Sequence, residues 1–407
     1  MPRLKPTSVT PTRVIRHLPP SFHKPLKSCH GEDVAMEKLT ALGVSARFHR
    51  PSERFAWLGL TVSSYAAISQ SPYTSHVARW VCLSRVCAQP QDDGTTPDNA
   101  ISSISISNDG RLIATGSMSS GLIEIWTTAG TCIWRFKGHA NMVLSTQFST
   151  HGQMLASWSY DRIVKVWNVV HCVCIHSLGG HAESISTVSF SEDDRYIATG
   201  SYDKTIKLWD AVSGFPLHSL EGHRTGISAL ALSASKMRLI SGSMLHGELK
   251  IWDLVQGICL RTFEGHHDSV LAIALSADGR RLATSSCDKS IKVWDLEAGA
   301  VLTRAFYTRT QPTFLAFNPS AAHSLDTNLG VLNVDPQFLL DAQSTDVFFD
   351  DVALSGWGCD FDTGWVLKDG NRICPLPEEY LPSQCHFRHA TLAVVGASGR
   401  LLLGLLF

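Results

Sequence analysis

Two dipeptides recur through the middle of this chain with a single period. The tryptophans of Ile125-Trp126, Val166-Trp167, Leu208-Trp209, Ile251-Trp252 and Val293-Trp294 follow one another by 41, 42, 43 and 42 residues. Gly138-His139, Gly180-His181, Gly222-His223 and Gly265-His266 keep the same step, at 42, 42 and 43 residues. A period in the range of roughly 20–50 residues marks a chain made of stacked supersecondary units, none of which can bury its apolar face alone.

Each unit reads as four short strands. In the third, Ser186 to Phe190 alternates, Ser191-Glu192-Asp193-Asp194 turns, and Tyr196 to Ser201 is a second strand. Ile206 to Trp209 is the third and, after the Ser213-Gly214 turn, Pro216 to Leu220 is the fourth. Short strands between closely spaced turn signals indicate an all-β architecture.

At these residues the chain resembles the WD40 family. Gly180-His181 opens a unit and Trp209-Asp210 closes its third strand, as do Trp252-Asp253 and Trp294-Asp295. The resemblance covers five units, about 101–306, and implies an all-β WD40 β-propeller with four-stranded blades around a channel. It further implies a buried chain of Trp, Ser/Thr, His and Asp in each blade. In the third unit these are Trp209, Thr199 or Ser201, His181 and Asp203. The second unit offers Trp167, Ser157 or Ser159, His139 and Asp161; the fifth offers Trp294, Thr284 or Ser286, His266 and Asp288. An indole can only donate, a hydroxyl relays, an imidazole does both and a carboxylate ends the chain. Two units depart from the pattern. Gly116 to Leu122 and Gly242 to Glu248 lack the turn aspartate, so the first and fourth blades are expected to have looser turns and incomplete polar chains.

From residue 101 to the end there are 307 residues, which at about 42 per blade favours seven blades. Eight follow if the degenerate last stretch makes three short blades. Its candidate strands are Thr313 to Phe317, Gly330 to Val334, Trp365 to Lys368, Arg372 to Cys374, Thr391 to Val395 and Leu401 to Phe407. Ring closure calls for a strand from the other terminus, and Ala78 to Leu83 is the candidate, facing the hairpin 391–407. The expected division is an irregular extension, 1–75, then a propeller, 76–407, clear over 101–306 and degenerate over 307–407. Arg3, Lys5, Arg13, Arg16, Lys24 and Lys27 precede the first acidic residue, Glu32, but six prolines in the same stretch break any amphipathic helix. A disordered basic tail is the expectation.

A narrower resemblance lies at the C-terminus. Gly356-Trp357-Gly358, Gly364-Trp365-Val366-Leu367, the run Pro375 to Pro382 and Ala397 to Arg400 resemble the tail of fungal NACHT–WD40 proteins, NLR-like receptors of the heterokaryon-incompatibility type. That resemblance implies a sensing role, yet G-x-x-x-x-G-K-[ST] is not found in the sequence. The chain is read as a stand-alone sensor-type propeller or as a fragment of a longer receptor.

Composition narrows the function. With 35 Lys+Arg against 36 Asp+Glu there is no basic excess to hold nucleic acid or an anionic membrane. No apolar run reaches the length of a membrane helix. Eleven scattered cysteines without a C-x-x-C pair point to a reducing compartment, the cytoplasm first and the nucleus as alternative. Ser201-x-x-Lys204 and Ser286-x-x-Lys289 match an acyl-enzyme pattern but occupy the same blade turn, and Cys172, Cys174 and His176 are read as a strand coincidence, not a metal site. No catalysis, cofactor, metal or small-molecule substrate is expected.

What remains is a binding surface. The WD40 resemblance implies partner contacts at the residue before the turn aspartate, here Tyr160, Tyr202 and Cys287, and in the loop after Gly-His. The loop residues are Asn141, Met142, Glu183, Ser184, Arg224, Thr225, His267 and Asp268, and Trp158 adds a large aromatic. Tyr, Trp and Arg are the types that dominate interface energetics. The expected role is a non-catalytic scaffold recognising a protein or peptide, with the sensor domain of a fungal NLR-like system as the alternative.

Overall fold

The computed structural model describes strands 55–61, 64–70 and 75–82, residues 100–297 without interruption, and most of 300–406. The basic tail read from the first residues lies outside the described part. The chain divides into two compact units, 91–401 and a smaller one made of 1–90 with 402–407. No helix occurs among the described residues.

The larger unit opens with four sheets of one design, each an antiparallel meander. Ile101–Ile106, Leu112–Ser117, Leu122–Thr127 and Cys132–Lys137 form the first; Val143–Phe148, Met154–Ser159, Val164–Asn168 and Val173–Leu178 the second. Ile185–Phe190, Tyr196–Ser201, Ile206–Asp210 and Pro216–Leu220 form the third; Ile227–Ser233, Arg238–Ser243, Leu249–Asp253 and Ile258–Phe263 the fourth. The turn between the first two strands has a repeated chemistry. Ser107, Ser191 and Ser276 donate to Asp109, Asp193 and Asp278 at 2.6, 2.7 and 2.5 Å, and each carboxylate accepts the N–H two residues on. A short polar side chain that bonds its own backbone ends one strand and aims the next.

The fifth sheet starts in the same way, with Val270–Leu275, Arg281–Ser286 and Ser290–Asp295, but two short segments, Ala300–Val301 and Phe306–Tyr307, share its outer place. Val347–Phe348 extends it in parallel. Leu315–Phe317, Ser324–Thr327, Gly330–Asn333 and Leu354–Ser355 form a sixth sheet, and Trp357–Asp360, Trp365–Lys368 and Asn371–Pro375 a seventh. An antiparallel pair, Pro382–Arg388 with Thr391–Gly396, is the eighth. First strands of consecutive sheets lie against each other from Ile101–Ile106 to Leu315–Phe317, and the eighth pair packs back on Ile101–Ile106. The chain is therefore an all-β propeller with eight blades among the described residues, the second of the two counts. Division by the period favoured seven because the seventh and eighth blades, 357–375 and 382–396, are much shorter than 42 residues.

The core lies between blades. Ala156, Val164 and Val166 of the second blade share one cluster with Ile185, Ile197 and Trp209 of the third. Ala198, Ile206 and Leu208 meet Ile227, Leu239 and Trp252 in the same way, and Ile240, Leu249 and Ile251 meet Val270, Leu282 and Trp294. From the second blade to the fifth, each repeated tryptophan thus fills a space walled by the preceding blade. This explains two of the Gly-His glycines: a Cβ on Gly138 would sit 2.6 Å from the Trp167 ring, and on Gly265 2.5 Å from Trp294, whereas Gly180 and Gly222 are set apart by positive φ, 111° and 140°.

In the smaller unit Phe55–Thr61, Ser64–Gln70 and Ser75–Cys82 pair antiparallel in order. The first two fall within the stretch expected to be irregular; their mixture of aromatic and aliphatic residues suits strands. Ser75–Cys82 pairs with 402–406, from Ala78↔Leu406 to Cys82↔Leu402. This is the partner expected for the closing strand, which starts three residues earlier than read; Leu83 lies outside the described residues.

Candidate functional site

The polar chains fix the blade edges from which the candidate contact residues project. In the second blade the Trp167 indole N–H donates to Ser157 Oγ at 2.9 Å, and Ser157 Oγ lies 2.8 Å from His139 Nε2. His139 Nδ1 is 2.9 Å from Asp161 Oδ2. Trp209, Thr199, His181 and Asp203 repeat this at 3.0, 2.8 and 2.9 Å, and Trp294, Thr284, His266 and Asp288 at 2.8, 2.8 and 3.1 Å. A carboxylate can only accept, so Nδ1 carries the proton; Nε2 then accepts from the hydroxyl, which in turn accepts from the indole. The first of each pair of hydroxyls makes the chain. The second, Ser201 or Ser286, accepts the Asp203 or Asp288 N–H and donates to a carbonyl of the preceding loop.

The fourth blade departs from expectation. Its chain is complete: Trp252 donates to Ser241 at 2.8 Å, His223 Nε2 is 2.6 Å from the same hydroxyl, and Glu248 Oε2 is 2.8 Å from His223 Nδ1. Glu248 stands four residues before Trp252, where the third and fifth blades have Thr205 and Ser290, and its longer side chain reaches the ring from the strand end instead of the turn. Lys250 Nζ balances it at 3.2 Å. In the first blade Trp126 donates to Thr115 at 3.1 Å, and no histidine joins the described chain, as expected.

Burial pushes His139, His181 and His223 below the ordinary histidine value, against the pull of their carboxylates. These rings are neutral at pH 7. Burial works to raise Asp203, but bonds from Thr205, the Ala182 N–H and His181 outweigh it and hold the group at about 2.

Tyr160 and Tyr202 follow the second strands of their blades and are half exposed. The N–H of Tyr160 bonds the Met142 carbonyl and that of Tyr202 the Ser184 carbonyl. Met118, Met244 and Cys287 occupy the same place in the first, fourth and fifth blades, bonding Ala100, Gly226 and Ser269. One blade edge therefore carries a row of apolar and aromatic side chains, each tied to the neighbouring loop. The row is tight between the third and fourth blades, since a Cβ on Gly226 would meet Met244 Sδ at 3.1 Å and the Tyr202 Cα at 3.2 Å. The loops place Asn141, Glu183, Arg224, His267 and Asp268 exposed beside it. Arg162 reaches from the second blade to the Ala182 carbonyl of the third at 3.2 Å.

A family model described as WD domain, G-beta repeat, matches residues 91–127, 130–168, 172–210, 214–253 and 257–295. These are WD40 repeats. Over 77 residues, 18% of the chain, the protein is 32% identical to the periodic tryptophan protein 2 homolog of Neurospora crassa, covering 9% of that relative. Over 98 residues, 24% of the chain, it is 30% identical to the target of rapamycin complex subunit LST8 of Saccharomyces cerevisiae, covering 31% of it. The matches thus span less than a third of either relative.

Against the WD40 repeat pattern one candidate moves. Trp158 does not join the exposed row; it is 6% exposed and packs with Val164 and Ile185. Its register partner is Ser145, while the same pairing holds Gly116, Gly200 and Gly242 in the first, third and fourth WD40 blades. Trp158 also borders the axial cavity, about 350 Å³ in volume, whose wall is set with the hydroxyls of Ser105, Thr146, Thr187, Ser228 and Thr313. Of the residues weighed as metal ligands, His176 instead bonds the Val212 carbonyl of the next blade through Nε2 at 3.1 Å.

Proposed function

We propose that the protein is a non-catalytic interaction scaffold that recognises a protein or peptide on the edge bearing Tyr160 and Tyr202. The observation that carries this is the row at one repeat position, Met118, Tyr160, Tyr202, Met244 and Cys287, flanked by exposed Glu183, Arg224, His267 and Asp268. Half-exposed aromatics on a backbone held by buried hydrogen-bond chains lose little entropy when a partner covers them, which favours binding. Mixed charges around them suit a polar-rimmed interface of modest size. The name of the yeast relative, a complex subunit, supports a role in assembly. Exposed free thiols at Cys174 and Cys259 support a reducing compartment, and we place the protein in the cytoplasm.

Affinity capture from native cell extract tests the assignment, comparing wild type with Tyr160→Ala/Tyr202→Ala/Arg224→Glu. Matched melting curves establish that the variant is folded. A partner held by wild type and lost by the folded variant supports the reading; equal capture by both overturns the choice of face.

A second reading, the sensing end of an NLR-like receptor, is supported by the C-terminal motif. Its Trp357 and Trp365 build the seventh blade, with Lys368 Nζ 4.8 Å from the Trp357 ring. A transcript joining a P-loop module in frame to this chain would favour it.

A further inference from the structure

Four polar side chains on the wall of the axial cavity serve no bond within the protein. Ser145, Gln147, Thr187 and Thr313 line it, and none of their side chains makes a hydrogen bond to the described residues. Ser105 and Thr146 on the same wall differ, their hydroxyls bonding each other at 3.1 Å. Among the described residues the lining holds one titratable side chain, His386, and no Lys, Arg, Asp or Glu. Trp158, at the position that is glycine in three other WD40 blades, puts an aromatic side chain on this wall. Its indole N–H is buried without an acceptor, a state in which few buried donors are left. Asn108 and Thr313 are exposed, so the cavity opens to solvent.

We propose that the axial cavity is a binding site for a neutral polyhydroxylated small molecule, a monosaccharide or cyclitol. At about 350 Å³ it falls within the span of small-molecule sites, roughly 300–1,000 Å³. A sugar hydroxyl both donates and accepts, as do the hydroxyls of Ser145, Thr187 and Thr313, and Gln147 adds an amide that can donate twice and accept. An anion would meet no lysine or arginine here and a cation no carboxylate. A wholly apolar molecule would strip water from the four polar groups and leave them unpaired, at a cost that outweighs its contacts. The C–H face of a six-membered polyol ring suits the apolar part of the wall, where Trp158 stands with Phe148 and Val188. Without ligand the four groups bond water, so a polyol gains only where its hydroxyls match their positions. Such an exchange sets a modest affinity and a high demand on the arrangement of hydroxyls.

The test titrates the full chain with myo-inositol and, separately, with D-glucose, followed by saturation-transfer difference NMR and by tryptophan fluorescence. Saturable binding of at least one of them in the millimolar range is expected. Gln147→Met and Thr187→Val remove polar groups at nearly constant shape and break no hydrogen bond within the protein, so melting curves of the double variant should match wild type. Two lost hydrogen bonds to the ligand should weaken binding about tenfold. myo-Inositol hexakisphosphate, the same ring made highly anionic, should fail to displace the bound polyol. No saturable binding of either polyol, an unchanged affinity in the double variant, or displacement by the hexakisphosphate would overturn the proposal. The wild-type titrations decide it even where the double variant does not fold.

Discussion

His223 meets a glutamate where three other blades present an aspartate to their histidines, and the change draws Lys250 into the chain. Removing the carboxylate by Glu248→Ala leaves a buried imidazole N–H and an ammonium without their partner. We expect a loss of about 1–3 kcal/mol. Glu248→Gln keeps an acceptor and should fall between, so calorimetric melting should rank wild type, Gln and Ala in that order. The histidines also set a pH response. A base whose folded pKa lies below its unfolded value stabilises fully above the unfolded value, 6.5, and progressively less as pH falls beneath it. Asp203, at about 2 folded against 3.8, adds stability present above 3.8 and lost as pH falls toward 2. Tm should therefore hold from pH 7 to about 6.5 and decline in two stages on acidification; a flat profile down to pH 4 would contradict the neutral-ring assignment. Asp161, Asp203 and Asp288 were legible because a turn aspartate follows each Gly-His by a fixed step. Glu248 was not, since the pattern was sought in the turn, whereas counting back four residues from Trp252 finds it.

Among the elements, second strands show what the repeat tolerates. Gly200 stands where Trp158 does one blade earlier, and a Cβ there would lie 2.7 Å from Ile227 of the next blade. Gly200→Ala should cost about 1–3 kcal/mol through overpacking. Trp158→Ala should cost about 3–5 kcal/mol through the cavity it opens against Val164 and Ile185. Denaturant melts of the two variants check both. Strands of the first five blades could be read because apolar alternation and turn chemistry agree in each. In the later blades Trp365–Lys368 was read to the residue, but Pro382–Arg388 was missed, its Pro, Gln, Cys and His giving no alternation. Trp158 was misplaced for a related reason: a lone tryptophan near an exposed tyrosine reads as surface until the register shows it filling a glycine position.

For the whole molecule, the polar chains are unevenly spread. Blades two to five each hold a full chain, while the sixth and seventh are built of strands of two to five residues. Amide hydrogen exchange should accordingly be slowest in the second to fifth blades and faster in the sixth and seventh; uniform protection would mean that closure, not the buried chains, governs opening. The return of Pro382–Arg388 and Thr391–Gly396 onto Ile101–Ile106 also has a consequence for how the protein is made. During synthesis the first blade leaves the ribosome long before the strands that cover its free side exist. At roughly 5–20 residues per second the intervening stretch of about 280 residues takes about a quarter of a minute to a minute. Throughout that interval Ile101–Ile106 presents an uncovered flank, so the nascent chain is a natural client for whatever shields apolar surfaces at the exit tunnel.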